Sequence, residues 1–245
     1  MTCGFWGNIC KVISMDTLTE LGSFNQNNHN AAAQIIRMIT DEENNIIFTG
    51  DSSGIVKVWL YEEYSHNISS CRFEILHVLC GHVDPITSMS FAPELDLVVS
   101  GDENGNICIH TVTSGEYIRT IEATKDDIGA CDLLQLTSVG CIIAHHWNDL
   151  SLVSYWLNGQ QLRRTKCRSK MLCMAVNRDS NLVVCGRVDG TVEIRDVYNL
   201  EVRISIHMIY MYIYICMYVC MYTDERHLLS FTYDYVYVCI CMCLC

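Results

Sequence analysis

The chain has 245 residues, enough for one large domain or two small ones, and a formal net charge of −12 at pH 7. This acidity excludes a nucleic-acid binder that relies on phosphate contacts, since such a protein needs a basic face. The first residues, MTCGFWGNICKVISMD, lack the charged start, long apolar run and cleavage site of a secretory signal.

Cysteine is abundant, with 16 in the chain, six of them beyond residue 203. Several of the others lie inside apolar, alternating segments such as GNICIH and MLCMAV. None forms a Cys-x-x-Cys pair with a matching pair downstream, so the pattern does not indicate a zinc site. We expect reduced cysteines that act as small core residues of a cytosolic protein, with no metal and no cofactor.

Five segments share one pattern: a short β-rich run, a turn, and a strand in which apolar and polar residues alternate. Aligned on the turn, they fall at Gly7, Gly54, Gly105, Asp149 and Gly190, between 41 and 51 residues apart. Turn glycines allow positive φ, and β-branched residues that alternate with polar ones suit a half-buried strand. Four short strands in each unit of about 40–45 residues are typical of a β-propeller blade, so the sequence predicts an all-β propeller.

The segment Gly81–Ile121 resembles a WD40 repeat from its Gly-His opening to its last strand. The predicted strands are a (Pro85–Phe91), b (Leu97–Gly101), c (Asn106–Thr111) and d (Glu116–Ile121). The resemblance implies a polar network of a His, a strand-b hydroxyl, a turn Asp and a strand-c Trp. In this repeat, His82 and Ser100 match the network. Asn104 stands in place of the Asp, and His110 stands in place of the Trp.

The same network is partial in the neighbouring units. In the preceding unit Thr49 and Trp59 match, while Ser53 replaces the turn Asp. In the last unit Asp189 matches, but Arg195 takes the place of the Trp. We therefore expect no blade to have the complete network.

The chain is also similar to one narrower family over residues 1–203, the C-terminal propeller of neurobeachin and related BEACH-domain proteins. An Ile-His-Thr in place of Trp-Asp, followed by Gly-x-Tyr-Ile-Arg-Thr, is a fairly specific combination. The segments that carry the resemblance are GFWGNICKVIS, LCGHVDPITSMSFAPELDLVVSG, ICIHTVTSGEYIRTI, YWLNGQQL and GTVEIRDVYNLEV.

This resemblance implies a non-enzymatic interaction scaffold that binds proteins and acts in vesicle traffic and membrane-protein localisation. It implies a cytoplasmic protein, peripherally associated with Golgi or vesicle membranes through domains upstream of this segment. Kinase anchoring is known in the family, but the residues for it are not in this segment. The chain would be the last part of a much longer protein.

Counting units predicts about three complete blades, one of them irregular, with a partial blade at each end. The last blade is expected to lack its strand d after Glu201. Propellers typically need four to eight blades to close, so we expect an incomplete ring with exposed strand edges.

Residues 204–245 form a low-complexity tail rich in Tyr, Met, Cys and Ile. Apart from His207, the window Ile204–Tyr222 is long and apolar enough to be a transmembrane candidate, yet Tyr recurs through its middle rather than at its ends. If this stretch crosses the bilayer, the chain is a tail-anchored membrane protein with a cytosolic WD40-like domain. A native β tail is a further alternative.

The genetic code suggests a third explanation for the tail. From Ile209 to Thr223, and over Tyr235–Cys245 except at Leu244, residues alternate between two codon classes that a run of TA and TG dinucleotides would encode. Val202-Arg203 can also be encoded by a splice-donor sequence. The pattern favours translated non-coding repeat DNA, most simply a retained intron.

Two further patterns could carry function. His145 and His146 are adjacent on a predicted strand, so they point to opposite faces and would not converge on one metal ion. The only dense basic run, RRTKCRSK, could contact an acidic partner or an anionic membrane, or be a solvated loop between blades. Its basic residues are Arg163, Arg164, Lys166, Arg168 and Lys170.

Overall fold

The computed structural model describes residues 2–3, 9–13, 18–25, 33–64, 70–123 and 129–207. These residues form antiparallel sheets, here called blades and numbered in chain order.

Blade 1 contains β1 (Thr2–Cys3), β2 (Ile9–Ile13) and β3 (Glu20–Asn25). Blade 2 contains β4 (Ile35–Asp41), β5 (Ile46–Asp51), β6 (Val56–Tyr64) and β7 (Ser70–Leu79). Blade 3 contains β8 (Ile86–Ala92), β9 (Leu97–Asp102), β10 (Ile107–Thr111) and β11 (Tyr117–Ile121). Blade 4 contains β12 (Cys131–Leu136), β13 (Cys141–His146), β14 (Ser151–Trp156) and β15 (Gln161–Lys166). Blade 5 contains β16 (Met171–Val176), β17 (Leu182–Arg187), β18 (Thr191–Asp196) and β19 (Val202–His207).

The all-β propeller fold is confirmed, and in blade 3 the observed strands begin and end within one residue of the predicted bounds. Each four-stranded blade is a meander in which consecutive strands pair. The first strands β4, β8, β12 and β16 lie side by side, so the blades follow one another around a common centre. In the part of the chain that the structure describes, the five blades do not close into a ring.

The expected absence of a strand d in the last blade is wrong. β19 pairs with β18, with Ile204 opposite Ile194 and His207 opposite Thr191. The described residues therefore form four complete blades and one three-stranded blade. Apolar and polar residues alternate in VRISIH, a pattern that predicts a strand, although the last four of these residues fall within the predicted tail.

The hydrophobic core is divided into four clusters, each between two adjacent blades. Phe48 and Ile86 bury their side chains between blades 2 and 3, and Val99 and Leu134 do so between blades 3 and 4. The expectation of small core cysteines is confirmed for six of those described, because these six are buried: Cys10, Cys108, Cys131, Cys141, Cys167 and Cys185. Burial raises the pKa of the Cys131 thiol to about 12, so it stays protonated.

Glycines at the ends of the second strands let the blades pack closely. A Cβ added to Gly50 would lie 2.6 Å from Ile86 Cγ2, and one added to Gly101 would lie 2.8 Å from Cys131 Cβ. Ile86 and Cys131 both begin the inner strand of the next blade. The small residue before the turn is thus required by packing between blades.

Candidate functional site

The polar network of blade 3 links the loop before β8 to the end of β9. His82 Nδ1 lies 2.9 Å from Asp102 Oδ2, and His82 Nε2 lies 2.9 Å from Ser100 Oγ. Both members of the His82–Asp102 pair are almost fully buried. Burial alone would lower the pKa of His82, but its hydrogen bond with Asp102 contributes to raising it to about 9. The structure therefore brings His82 and Ser100 together in the way the repeat pattern predicts.

Two other members of the predicted network lie elsewhere. Asn104 does not take the place of the acid, because its amide donates to Asp84 Oδ2 at 2.6 Å, while Asp102, two residues earlier, contacts the histidine. His110 is buried, and its Nε2 lies 3.0 Å from the carbonyl oxygen of Cys80. Burial lowers the pKa of His110.

Blade 2 contains the other predicted pair. Trp59 Nε1 donates to Thr49 Oγ1 at 2.9 Å, and both side chains are buried. The turn is held by Asp51, whose Oδ1 accepts from the backbone N–H groups of Ser53 and Ile55, so Ser53 does not replace the acid. A carboxylate that caps the turn after the second strand is thus common to blades 2 and 3.

We expect Thr49→Val to lower the free energy of unfolding by about 1–3 kcal/mol, because the isosteric side chain leaves the buried Trp59 N–H without its acceptor. Urea denaturation followed by tryptophan fluorescence measures the change. The matched control is Thr40→Val, a half-buried threonine in the adjacent strand. Equal effects of the two substitutions would contradict a specific role for the Thr49–Trp59 hydrogen bond.

In blade 5, Asp189 occupies the turn position that Asn104 has in blade 3. Its Oδ2 accepts from Ser169 Oγ at 2.6 Å and its Oδ1 from the Thr191 N–H at 2.9 Å. Burial would raise the pKa of Asp189, but these hydrogen bonds contribute to a net lowering. The contact ties the turn to the loop before β16, as Asn104 ties its turn to Asp84.

In blade 5, a buried charged cluster stands where blade 2 has the Thr49–Trp59 pair. Glu193 Oε2 accepts from Arg187 Nη2 and also from Arg195 Nε at 2.8 Å. Arg195 Nη1 donates to the carbonyl oxygen of Leu200 at 2.8 Å. All three charged side chains are at least nine-tenths buried. Within the described residues, Arg187 Nε has no hydrogen-bond partner.

Four of the five residues in the predicted basic run meet this cluster at a cavity of about 560 Å³ between blades 4 and 5, here called the basic cleft. Its charged lining consists of Arg163, Arg164, Lys166, Arg168, Arg187, Arg195, Glu193 and Glu201. Arg164 forms an ion pair with Asp149. Lys170 does not line the cleft: its Nζ lies 3.7 Å from the ring centroid of Trp147.

The adjacent histidines of β13 are both buried. His145 Nδ1 lies 2.7 Å from Asp132 Oδ1, whereas neither ring nitrogen of His146 has a hydrogen-bond partner among the described residues. Burial lowers the pKa of His146 to about 4, so its ring is neutral at pH 7. No group of three or more His, Cys, Asp or Glu side chains in these ranges is arranged to hold a metal ion.

The transmembrane candidate Ile204–Tyr222 includes the end of β19, and from residue 208 onward it lies outside the described residues. Among the residues that are described, no helix is long and apolar enough to cross a membrane.

Comparison with known proteins shows the family. The family model for the neurobeachin beta propeller domain matches residues 1–235. The chain belongs to this family. The match extends past residue 203, the predicted end of the propeller.

Relatives of this neurobeachin-type propeller are much longer proteins. BEACH domain-containing protein B of Arabidopsis thaliana is 26% identical over 216 residues, which are 82% of this chain and 8% of that protein. A candidate neurobeachin homologue of Caenorhabditis elegans is 32% identical over 124 residues, 50% of this chain and 5% of the relative. The chain thus spans less than a tenth of the length of either.

Among solved structures, the RRP9 WD40 repeats superpose with a TM-score of 0.67 at 15% identity, covering 82% of this chain and 58% of that one. The C-terminal WD40 domain of Sif2 gives a TM-score of 0.62 at 15% identity, covering 82% of this chain and 55% of that one. At these identities the likeness shows the WD40 fold alone.

Proposed function

We propose that this neurobeachin-type propeller is a non-enzymatic scaffold that binds proteins acting in vesicle traffic and in localising membrane proteins. Membership of the family supports the role, and exposed apolar residues at one end of the blades carry it. The same proposal places the chain in the cytoplasm, peripherally associated with Golgi or vesicle membranes. Kinase anchoring is not assigned to this segment.

The surface lies at the turns that follow the second strands. One residue of each turn occupies an equivalent position there: Ser52, Glu103, Trp147 and Val188. The N–H of each donates to the carbonyl oxygen of the residue directly before the inner strand of its own blade. Trp147 is 41% exposed and Val188 45% exposed, and Val83 in the loop at the same end is 90% exposed. Tryptophan is among the residues that contribute most to protein–protein affinity. We therefore assign the docking surface to this end, here called the turn face.

Proximity labelling tests this role, with a biotin ligase fused to the chain in cells that express it. We expect labelled proteins to be enriched in trafficking and membrane proteins, and Trp147→Ala to reduce that enrichment. The matched control is Tyr198→Ala, which removes an aromatic side chain of 42% exposure from a turn outside the turn face. A labelled set equal to that of the unfused ligase would overturn the proposed role, and equal loss with both variants would overturn the assigned surface.

For the tail, residues 204–245, we retain the proposal of translated non-coding repeat DNA, in which the codon alternation runs from Ile209 onward. Its test is to sequence transcripts across the codons for Glu201 to Ile204. We expect most messages to be spliced after Glu201 and to continue with another strand that pairs with β18. A dominant message that encodes the Tyr/Met/Cys run would reject this origin, and membrane fractionation would then test the anchor alternative.

A further inference from the structure

The basic cleft concentrates positive charge in an otherwise acidic chain. Six of the 16 Lys and Arg residues line it, against two acidic side chains, although the chain as a whole carries a net charge of −12. The six basic residues come from two blades and all precede Val202, so the concentration of charge does not depend on β19. Such a set of converging cations favours an anionic ligand.

The innermost part of the cleft carries an uncompensated charge. Arg187 and Arg195 share the single carboxylate of Glu193, so this buried cluster has a formal charge of +1. The Nε of Arg187 has no hydrogen-bond partner among the described residues, although the side chain is 2% exposed. A buried guanidinium with an unsatisfied donor is unfavourable unless an acceptor reaches it. An anion in the cleft would supply that acceptor.

The mouth of the cleft carries further cations. Arg163, Lys166 and Arg168 are exposed, and within the described ranges none of them forms an ion pair. Arg164 beside them is already neutralised by Asp149. A ligand in the cleft could therefore contact Arg187 with one charged group and the three mouth residues with others.

We propose that the basic cleft binds a small polyol carrying several phosphate groups, either free or as a lipid headgroup. Guanidinium groups match phosphate oxygens in a bidentate geometry, which favours phosphate as the charged group. The cavity of about 560 Å³ has the size of a small-molecule site. Several phosphates on one scaffold are needed to reach cations both deep in the cleft and at its mouth. The net charge of −12 opposes a large acidic protein as the occupant.

Calorimetric titration of the full chain with inositol hexakisphosphate tests the site. We expect saturable binding that weakens with added salt. Arg163→Gln/Lys166→Gln/Arg168→Gln should weaken it by about tenfold or more, since charge-assisted hydrogen bonds are lost. The control Arg72→Gln/Arg119→Gln/Arg178→Gln removes three exposed charges outside the cleft and should leave binding within about twofold. All six positions are exposed, so both variants should stay folded, which thermal melting checks.

A second set of titrations distinguishes the source of the phosphates. Phosphatidylcholine vesicles with and without phosphatidylinositol bisphosphate are compared with the soluble compound, using the same two variants. Cleft-dependent binding to the lipid alone identifies a headgroup site, and cleft-dependent binding to the soluble compound identifies a free ligand. Absence of binding to both, or equal losses with both variants, would overturn the proposal. These results do not depend on the partner-binding role of the turn face.

Discussion

Replacing Glu193 by glutamine is expected to lower the free energy of unfolding by about 3–5 kcal/mol. The substitution keeps the shape of the side chain but removes the carboxylate that pairs with both Arg187 and Arg195. Two buried guanidinium groups then repel each other without compensation. This is the largest effect that we expect from a single polar substitution in the described residues.

Urea denaturation of the full chain measures this effect. The control is Glu116→Gln, which removes an exposed carboxylate and should change stability by no more than about 0.5 kcal/mol. The apolar variant Arg187→Met/Glu193→Leu/Arg195→Met should be more stable than Glu193→Gln, because it removes all three buried charges together. If Glu193→Gln behaves like the exposed control, the buried charged cluster does not exist as described.

The second large effect concerns the His82–Asp102 pair, whose contribution to stability should depend on pH. The folded-state pKa of His82 is raised from 6.5 to about 9, so its contribution is fully present below pH 6.5 and is lost as the pH rises through 9. Burial would raise the pKa of Asp102, but the hydrogen bond with His82 contributes to a net lowering, so its contribution is present above 3.8 and is lost at lower pH. The pair therefore stabilises the fold most between about pH 3.8 and pH 6.5, and its contribution declines from there to pH 9.

We expect Asp102→Asn to lower the free energy of unfolding by an amount on the order of 3 kcal/mol near pH 6 and by clearly less at pH 9. Urea denaturation at several pH values gives the difference between the wild type and the variant. Asp179→Asn, an exposed acid in the turn between β16 and β17, is the control and should show no such trend. A difference that is constant from pH 6 to pH 9 would mean that His82 is not held in its charged form by Asp102.

The strands of blade 3 were predictable because turn glycines and alternating residues mark both ends of each strand. For the acid of its network, the repeat pattern indicates the position next to the turn glycine, which is Asn104 in this chain. The structure instead uses Asp102, whose Oδ1 also accepts from the Asn104 and Asn106 N–H groups. Both positions are polar, but only Asp102 is acidic, so the residue type itself was the signal that the sequence offered.

The basic cleft could be predicted only in part. The run that contains Arg163 is visible in the sequence, but its meeting with Arg187 and Arg195 depends on how two blades pack. One signal was available: in TVEIRD the charged residues Glu193 and Arg195 alternate on a strand, so they share one face. That both are buried is a property of the tertiary structure.

Four four-stranded blades packed side by side underlie both the turn face and the basic cleft. Amide hydrogen exchange along the full chain, followed by mass spectrometry, tests this arrangement most directly. We predict slow exchange in the inner strands β4, β8, β12 and β16, and measurable protection of Val202–His207 relative to the turn at residues 42–45. Exchange in the inner strands as fast as in that turn, with no protection of β19, would contradict the four-blade structure.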